Sequence, residues 1–369
     1  MKIAFVANSC WNIFNFRKGL VFHFLNRGDE VIVLAPHDEY SDAIVKWGAT
    51  WINTPLDSTG VNPIKDLKYF RVLRSALQKY KPDVALAYTI KSNIYSCLAG
   101  NFSNVPVICN VSGLGTVFLV EGVVGQIAMF LYRVAFRSAS HVFFQNEDDQ
   151  ELFLSNVNLA RERIGLLPGS GINLEEFKSQ PLLTSDKVRF LMVSRVIIEK
   201  GVEDYAEAAA YFKDDDRVSF SLVGKFDEDH ARSIEKSKLD QWINNEILDY
   251  QPHSDEIQNL ISDHDVLVLP SYREGTPRTL LEGAAMGRPL LASDVPGCRE
   301  VVCDGFNGFL FEVKNSKSLI DKIKLYLSLK PEEREQLAAN SRKLVEETFD
   351  EQIVIDEYEK IIHGIVKPA

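Results

Sequence analysis

Two glutamates, Glu274 and Glu282, stand eight residues apart on either side of a predicted helix start. An apolar run at 266–270 precedes them and predicts a buried strand. Thr276 is expected to cap the helix, and Pro277 suits its first position because an N–H there would be unpaired anyway. Glu274 is therefore predicted to lie in the loop before the helix, and Glu282 in its second turn.

The start of this helix is a predicted anion site. Backbone amides in a first turn have no partner within the helix, and the helix dipole adds a partial positive charge. Phosphate oxygens bind at such ends. One of the two carboxylates can accept hydrogen bonds from a ribose while the other faces a sugar. Because Glu282 stands among Leu280, Leu281, Ala284 and Ala285, its carboxylate is costly to bury without donors.

Two cations, Arg195 and Lys200, follow a predicted strand at 188–194. Arg195 can bind oxygens in a bidentate manner, whereas Lys200 acts as a point charge. Five residues apart, they could bracket a diphosphate, and Gly201 lets the chain turn into the next helix. A loop with Arg and Lys is usually only solvated. The functional interpretation depends on its predicted position, at the same edge of the same sheet as the Glu274 loop.

Short apolar runs alternate with amphipathic segments, which predicts parallel sheets with helices on both faces. In the first half, strands are predicted at 3–7, 31–35, 84–88, 106–111 and 142–145, and helices near 15–27, 63–80, 92–100, 122–138 and 147–154. The alternation restarts in the second half, with strands at 188–194, 220–224, 247–250, 266–270, 289–293 and 309–311.

Turn residues at 167–172 predict a hinge between two domains of one α/β architecture. The expected divisions are an N-terminal domain at 1–168, a C-terminal domain at 169–349 and a closing helix within 350–369. A length of 369 residues also favours two domains. Two such halves imply a cleft between them, and open parallel sheets bind ligands at the carboxyl ends of their strands.

The spacing of Arg195, the run 199–201 and the segment from Glu274 to Glu282 resembles the donor site of family-4 glycosyltransferases. These are retaining enzymes with two facing Rossmann-like domains, the GT-B architecture. The resemblance implies that Arg195 and Lys200 hold the donor diphosphate and neutralise the leaving group. It also implies that Glu282 binds the ribose hydroxyls and that Glu274 contacts the transferred sugar.

The same resemblance places Thr276 and the amides near Thr279 and Leu280 at the donor phosphates. Gly115 is expected to let its loop approach the ligand closely, with a plain turn as the alternative. Prepositioned cations and amides stabilise the charge of a departing nucleoside diphosphate, so neither a metal nor another cofactor is required. The acidic run 214–216 could pass for a metal motif, but it precedes a predicted strand. We interpret it as a solvated turn at the wrong end of the sheet.

Three runs, at 89–93, 111–116 and 142–147, are similar to a bacterial branch of this family that extends undecaprenyl-diphosphate-linked sugars. That branch includes N-acetylgalactosamine transferases. The similarity implies a lipid-linked acceptor better than it implies a particular sugar. Arg17 and Lys91 become candidates for binding the acceptor diphosphate, with plain surface charge as the alternative.

The bulk composition bears on other classes of partner. The net charge is −11, so nucleic-acid binding is not expected, because affinity for phosphate backbones comes from clustered Lys and Arg. Five cysteines without zinc-type spacing are typical of reduced thiols in a cytoplasmic protein. Neither a secretory signal nor a spanning helix is predicted. Membrane contact is therefore expected to be peripheral, on the inner face of the cell membrane.

The predicted helix at 122–138 bears on that contact. Ile127, Phe130 and Val134 share one face, while Arg133 and Arg137 belong to a narrow polar stripe. A helix that is apolar nearly all round is most often buried. The alternative is a helix that dips into the inner leaflet, where its arginines meet lipid phosphates and the lipid-linked acceptor.

These observations predict a retaining hexosyltransferase. It would move an N-acetylhexosamine or hexose from a UDP-sugar to a polyprenyl-diphosphate-linked glycan, in the synthesis of envelope polysaccharide or glycoprotein glycans. Two alternatives stay open. One is a nucleotide-sugar epimerase or phosphorylase of the same fold, for which no clear acid/base set or cofactor lysine is present. The other is a non-catalytic nucleotide-sugar-binding protein at a membrane surface, against which the intact cations and glutamates argue.

Overall fold

The computed structural model describes residues 1–57, 62–114, 123–185, 187–228, 230, 232–254 and 256–366. The chain divides into two compact units. One combines Met1–Ser170 with Glu351–Ala369, and the other spans Gly171–Asp350. Each unit is built around its own parallel sheet.

The sheet of the first unit has seven strands. They are β1 (Lys2–Val6), β2 (Glu30–Ala35), β3 (Thr50–Asn53), β4 (Val84–Tyr88), β5 (Val107–Val111), β6 (His141–Phe144) and β7 (Ile164–Leu166). Their order is β3-β2-β1-β4-β5-β6-β7, and every pair is parallel. The five predicted strands are confirmed to within one residue at most ends. The edge strands β3 and β7 were not predicted, because β3 has a mixed sequence and β7 is only 3 residues long.

Seven helices between β1 and β7 accompany this sheet within the described ranges. They are α1 (Cys10–Phe16), α2 (Lys18–Asn26), α3 (Ser41–Lys46), α4 (Pro63–Tyr80), α5 (Ile90–Ser103), α6 (Val123–Ala135) and α7 (Glu147–Leu154). The helix predicted near 15–27 is confirmed as α2, but it begins later than predicted, because the backbone breaks at Arg17 with a φ of −133°. The helices α4, α5 and α6 pack on one face of the sheet, and α1, α2 and α3 pack on the other.

The sheet of the second unit has six parallel strands. They are β8 (Val188–Val193), β9 (Val218–Val223), β10 (Asp249–Gln251), β11 (Val266–Leu269), β12 (Leu290–Ser293) and β13 (Gly308–Phe311). Their order is β10-β9-β8-β11-β12-β13. The helices are α8 (Val202–Tyr211), α9 (Lys236–Asn244), α10 (Ile257–Ser262), α11 (Arg278–Ala285), α12 (Cys298–Val301), α13 (Ser316–Ser328) and α14 (Pro331–Thr348).

The last helix, α15 (Glu351–Ile365), belongs to the first unit. Val354, Tyr358 and Ile362 recur at intervals of four and are buried, so one face of the helix completes the core under α2. The side-chain amide of Asn110, at the end of β5, donates to the hydroxyl of Tyr358 at 3.1 Å. A helix does lie within 350–369, and the expected division of the chain into domains stays a prediction.

Each sheet has a point where the strand order reverses. It lies between β1 and β4 in the first unit and between β8 and β11 in the second. Open α/β sheets bind ligands outside the carboxyl ends of the strands at such switch points. The loops that follow these four strands therefore lie where such a fold binds its ligands.

Candidate active site

Two loops meet at the switch point of the second unit. One, at 194–201, connects β8 to α8, and the other, at 270–277, connects β11 to α11. The amide of Tyr272 donates a hydrogen bond to the carbonyl of Glu199 at 2.9 Å, which joins the loops directly. Gly201 is required at this junction. Its φ is +69°, and an added Cβ would lie 2.0 Å from a carbonyl oxygen of the second loop.

Lys200 and Glu274 form an ion pair across this junction, from Nζ to Oε1. Their side chains are only 21% and 12% exposed. The prediction that the two residues share one edge of the sheet is confirmed. We call the loop 270–277, which carries Glu274, the carboxylate loop. Gly297 packs closely against it: its φ is +83°, and an added Cβ would lie 1.8 Å from the carbonyl oxygen of Gly275. The site is therefore held by close backbone packing as well as by charge.

Arg195 lies two residues beyond the end of β8, and its side chain is exposed. No carboxylate pairs with its guanidinium among the residues that the structure describes. The loop after β8 thus carries one cation that Glu274 neutralises and a second that is available to an anion.

Glu282 lies in α11, one turn beyond Arg278, and is only 8% exposed. Burial raises the pKa of Glu282, whereas the charge of Arg278 and a hydrogen bond from its Nε at 2.9 Å oppose that rise. The sequence reasoning missed Arg278, because it expected the donors for this carboxylate to come from a ribose. The i, i+4 spacing of the pair is the signal that could have revealed it.

The start of α11 differs from the prediction. Pro277 is the N-cap and has an extended backbone, so the prediction that Thr276 caps the helix is wrong. The carbonyl of Pro277 accepts a hydrogen bond from the amide of Leu280 at 3.1 Å. The Leu280 amide is therefore already paired, because an N-cap carbonyl accepts the first bonds of the helix. The Thr279 amide has no backbone acceptor in the described part of the chain.

The acidic run 214–216 lies in the turn before β9, at the amino edge of the sheet. Asp215 pairs there with the exposed side chain of Arg217 at 2.7 Å. Hydrogen bonds from Arg217 lower the pKa of Asp215 to about 2. The interpretation of this run as a solvated turn is confirmed.

The switch point of the first unit holds a cavity of about 260 Å³. Polar residues line much of it: Asn8, Thr89, Lys91, Asn93 and Ser112. Thr89 has a φ of +74°, a strained value for a β-branched residue, and it lies where β4 leads into α5. Gly115 lies outside the described residues, so its predicted role stays a prediction.

Lys91 is tied to the start of α4. Its Nζ bonds the Oδ1 of Asp66 at 2.7 Å and donates to the carbonyl of Asp57 at 2.8 Å. The side chain is 17% exposed. Its charge is therefore largely neutralised within the fold, which weakens the case for Lys91 as a ligand of an anion.

Arg17 has the opposite character. It is only 4% exposed, and its guanidinium lies 4.3 Å from the centre of the Tyr88 ring. Nη1 donates to the carbonyl of Phe16 at 3.2 Å, while Nε has no hydrogen-bond partner in the described part of the chain. The alternative of plain surface charge is wrong for Arg17. A buried cation near the end of β4, with no paired carboxylate among the described residues, is costly unless an anion joins it.

The helix α6 is not buried all round. Tyr132 packs inward, whereas the outward face exposes three large apolar side chains: Ile127 at 53%, Phe130 at 63% and Val134 at 40%. Arg133 and Arg137 are exposed as well. Within the described ranges, no helix has both the length and the apolar character that crossing a bilayer requires.

Comparison with solved structures defines the class of the fold. Anabaena Alr3699/HepE, solved in complex with UDP and glucose, matches with a TM-score of 0.80 over 99% of this chain and 100% of its own, at 17% identity. With two parallel Rossmann-like sheets and a cation–carboxylate site at the second switch point, the protein is of the GT-B class.

Comparison with families and relatives defines its membership. Residues 173–344 match the family described as "Glycosyl transferases group 1", and residues 18–169 match the family described as "Glycosyl transferase 4-like domain". The chain therefore belongs to this family of glycosyltransferases.

Two curated relatives are informative. N,N'-diacetylbacillosaminyl-diphospho-undecaprenol alpha-1,3-N-acetylgalactosaminyltransferase of Campylobacter jejuni is 30% identical over the whole of both chains. UDP-Gal:alpha-D-GlcNAc-diphosphoundecaprenol alpha-1,3-galactosyltransferase of Escherichia coli is 26% identical over 71% of each. The identity spans both units in the first case.

Proposed function

We propose that the protein is a retaining hexosyltransferase that moves a sugar from a UDP-linked donor to a polyprenyl-diphosphate-linked glycan. The observation that carries this proposal is the Lys200–Glu274 ion pair at the second switch point, with the exposed Arg195 on the same loop. Both curated relatives are named for transfer to a sugar on diphospho-undecaprenol. The transferred sugar would be an N-acetylhexosamine or a hexose, used in envelope polysaccharide or glycoprotein glycan synthesis.

The donor half of the reaction follows from charge. When the bond from the anomeric carbon to the diphosphate breaks, the departing nucleotide gains negative charge. Arg195 stabilises that charge as it develops, and Lys200 adds the ammonium N–H groups that its bond to Glu274 does not use. The Thr279 amide adds a donor at the start of α11. Interactions that strengthen in the transition state raise the rate, whereas equal binding of the ground state would not.

The two glutamates have separate roles in this proposal. Glu274 contacts the hydroxyls of the transferred sugar and keeps the Lys200 ammonium in place. Glu282 accepts hydrogen bonds from the ribose, and Arg278 holds its carboxylate in the charged form that can accept them. The depth of Glu282 supports this role, because a buried carboxylate gains most from additional donors.

The acceptor half is assigned to the first unit. A diphosphate on the lipid carrier would neutralise the buried guanidinium of Arg17, which has no carboxylate partner in the described part of the unit. Lys91 has Asp66 as a partner, so we rank Arg17 above Lys91 as the anion ligand. The proposal therefore names Arg17 as the main acceptor-binding cation.

A lipid-linked acceptor places the reaction at the inner face of the cell membrane, and we propose that the protein associates with it peripherally. The exposed apolar side chains of α6, beside Arg133 and Arg137, support this. Reversing both charges, Arg133→Glu with Arg137→Glu, is expected to weaken binding to anionic vesicles. Unchanged vesicle binding would rule out this role for α6.

The reaction is tested with a panel of UDP-sugars and short polyprenyl-diphosphate-linked saccharides. Lys200→Ala and Glu274→Gln are each expected to lower turnover at least about 100-fold, because each removes a preorganised group. Lys213→Ala, a matched exposed lysine at the amino edge of the sheet, should keep the parent rate. The anomeric configuration of the product, read by NMR, should equal that of the donor.

Near-normal transfer by Lys200→Ala or Glu274→Gln would refute their roles. Conversion of the donor without any acceptor would point instead to an epimerase. Donor binding with no turnover over the whole acceptor panel would favour the non-catalytic alternative.

A further inference from the structure

The helix α4 has an outward face that the proposed reaction leaves unexplained. Tyr69, Leu73 and Leu77 turn inward and pack into the core. The opposite stripe repeats at helical intervals, and its residues are Ile64, Leu67, Lys68, Arg71 and Arg74. Ile64 is 81% exposed and Leu67 is 47% exposed, which leaves two large aliphatic side chains in water at the first turns of the helix.

An aromatic side chain of α5 extends this surface. Phe102 is 60% exposed, and its ring lies 6.0 Å from that of Phe70 in α4. The guanidinium of Arg74 lies 5.1 Å from the centre of the Phe102 ring. We call the five stripe residues together with Phe102 the α4 surface. It combines exposed apolar groups with cations at one place.

The charge of α4 opposes that of the whole protein. Its sequence carries five cations and a single carboxylate, in a chain whose net charge is −11. The carboxylate, Asp66, is taken by Lys91. Lys68 and Arg71 have no ion-pair partner in the described part of the chain. The α4 surface is therefore a local positive patch on an acidic protein.

This combination selects one kind of partner. Cations alone would suit any polyanion, but exposed Ile64, Leu67 and Phe102 gain only where they can leave water. A helix with apolar and basic residues on its outer side fits the interface of a bilayer that contains anionic lipids. We infer that the α4 surface docks the first unit on such a bilayer.

The position of the surface explains its use. Asp66, in the first turn of α4, bonds Lys91, and Lys91 lines the cavity at the first switch point. The apolar end of the α4 surface is thus tied to the edge of that cavity. Docking would bring the cavity to the depth of the lipid headgroups. The use of this docking for catalysis rests on the proposed function. Binding of the α4 surface to the bilayer does not.

The test measures co-sedimentation of the full chain with vesicles in the absence of any acceptor. Vesicles of phosphatidylglycerol with phosphatidylcholine are compared with vesicles of phosphatidylcholine alone. Lys68→Glu with Arg71→Glu is expected to weaken binding to the anionic vesicles at least about 25-fold, since each basic residue contributes about fivefold. Ile64→Ser with Leu67→Ser is expected to weaken it at least about tenfold.

The control reverses two exposed lysines of α13, Lys317→Glu with Lys324→Glu, which changes net charge equally. This control should bind nearly as well as the parent. The inference would be overturned if the control lost as much binding to anionic vesicles as the α4 variants, or if neither α4 variant lost any. It would also be overturned if the parent bound equally well to vesicles of phosphatidylcholine alone. Urea midpoints of all variants should match the parent, because the altered side chains are exposed.

A second readout separates this inference from the proposed reaction. Both α4 variants should transfer sugar to a short, water-soluble diphosphate-linked acceptor at the parent rate. If the parent transfers to no acceptor and yet its vesicle binding depends on α4, the proposed function fails and the docking surface stands. If transfer occurs but vesicle binding ignores α4, the docking surface fails alone.

Discussion

A buried histidine in the first unit makes its stability sensitive to pH. His141, in β6, is 5% exposed, and its ring lies 4.5 Å from the centre of the Phe143 ring. Its Nε2 has no hydrogen-bond partner in the described part of the chain. Burial lowers the pKa of His141 from 6.5 to about 4, although the charge of Glu357 opposes the shift. The imidazole is therefore neutral in the folded protein at neutral pH.

The sign and size of the effect follow from linkage. In the unfolded chain His141 takes up a proton below pH 6.5, whereas the folded chain does so only near pH 4. The full contribution of the neutral His141 to the free energy of unfolding is present above pH 6.5. It is lost as the pH falls towards the pKa of His141 in the folded protein. At about 1.4 kcal/mol per pKa unit, the shift corresponds to roughly 3 kcal/mol. Roughly 2 kcal/mol of this is lost between about pH 7.5 and about pH 5.

Urea unfolding at these two pH values measures the loss. A Trp242→Phe background leaves tryptophan fluorescence to the first unit alone, because the other three tryptophans lie there. His141→Gln should lose about 2 kcal/mol less than the parent on acidification, since it has nothing to protonate. His363→Gln, at an exposed histidine of the same unit, should lose as much as the parent.

An equal acid loss in His141→Gln and in the parent would refute the reasoning. It would mean that the folded protein accepts a proton at this position as readily as the unfolded chain does.

Three further predictions concern the second unit. Gly297→Ala should lower transfer at least about 100-fold, because its methyl group would displace the carboxylate loop, whereas Gly305→Ala, also at positive φ but in open space, should keep the rate. Arg288→Met should lower the free energy of unfolding by about 3 kcal/mol or more in urea, because the fully buried guanidinium donates to several backbone carbonyls. Arg278→Ala removes the charge that lowers the pKa of Glu282, so the acidic limb of kcat/KM for the donor should move to higher pH.

Each of these has a contrary result. Equal activity of the two glycine variants would deny the backbone clash. The unfolding of the second unit in urea can be followed by the fluorescence of Trp242. If Arg288→Met left this transition unchanged, the carbonyls would not need their donor. An acidic limb that does not move in Arg278→Ala would mean that Glu282 does not govern donor use.

Local patterns sufficed for most of the fold. Apolar runs bounded by turn residues located the central strands, since a strand covered on both faces must be apolar throughout. They missed β3 and β7, which lie at the sheet edges and are only 4 and 3 residues long. The spacing around Lys200 and Glu274 also sufficed to place both at one edge, because each follows a strand and parallel strands end together.

Partners distant in sequence were decided only by the tertiary structure. No local pattern tells that Lys91 meets Asp66 or that Arg17 is buried over Tyr88. The sequence alone determined the class, the two sheets and the residue types at the switch points, because periodicity and turn chemistry act over a few neighbouring residues. Which charges are neutralised and which are left for a ligand depends on how separate elements pack, and only the folded chain decides that.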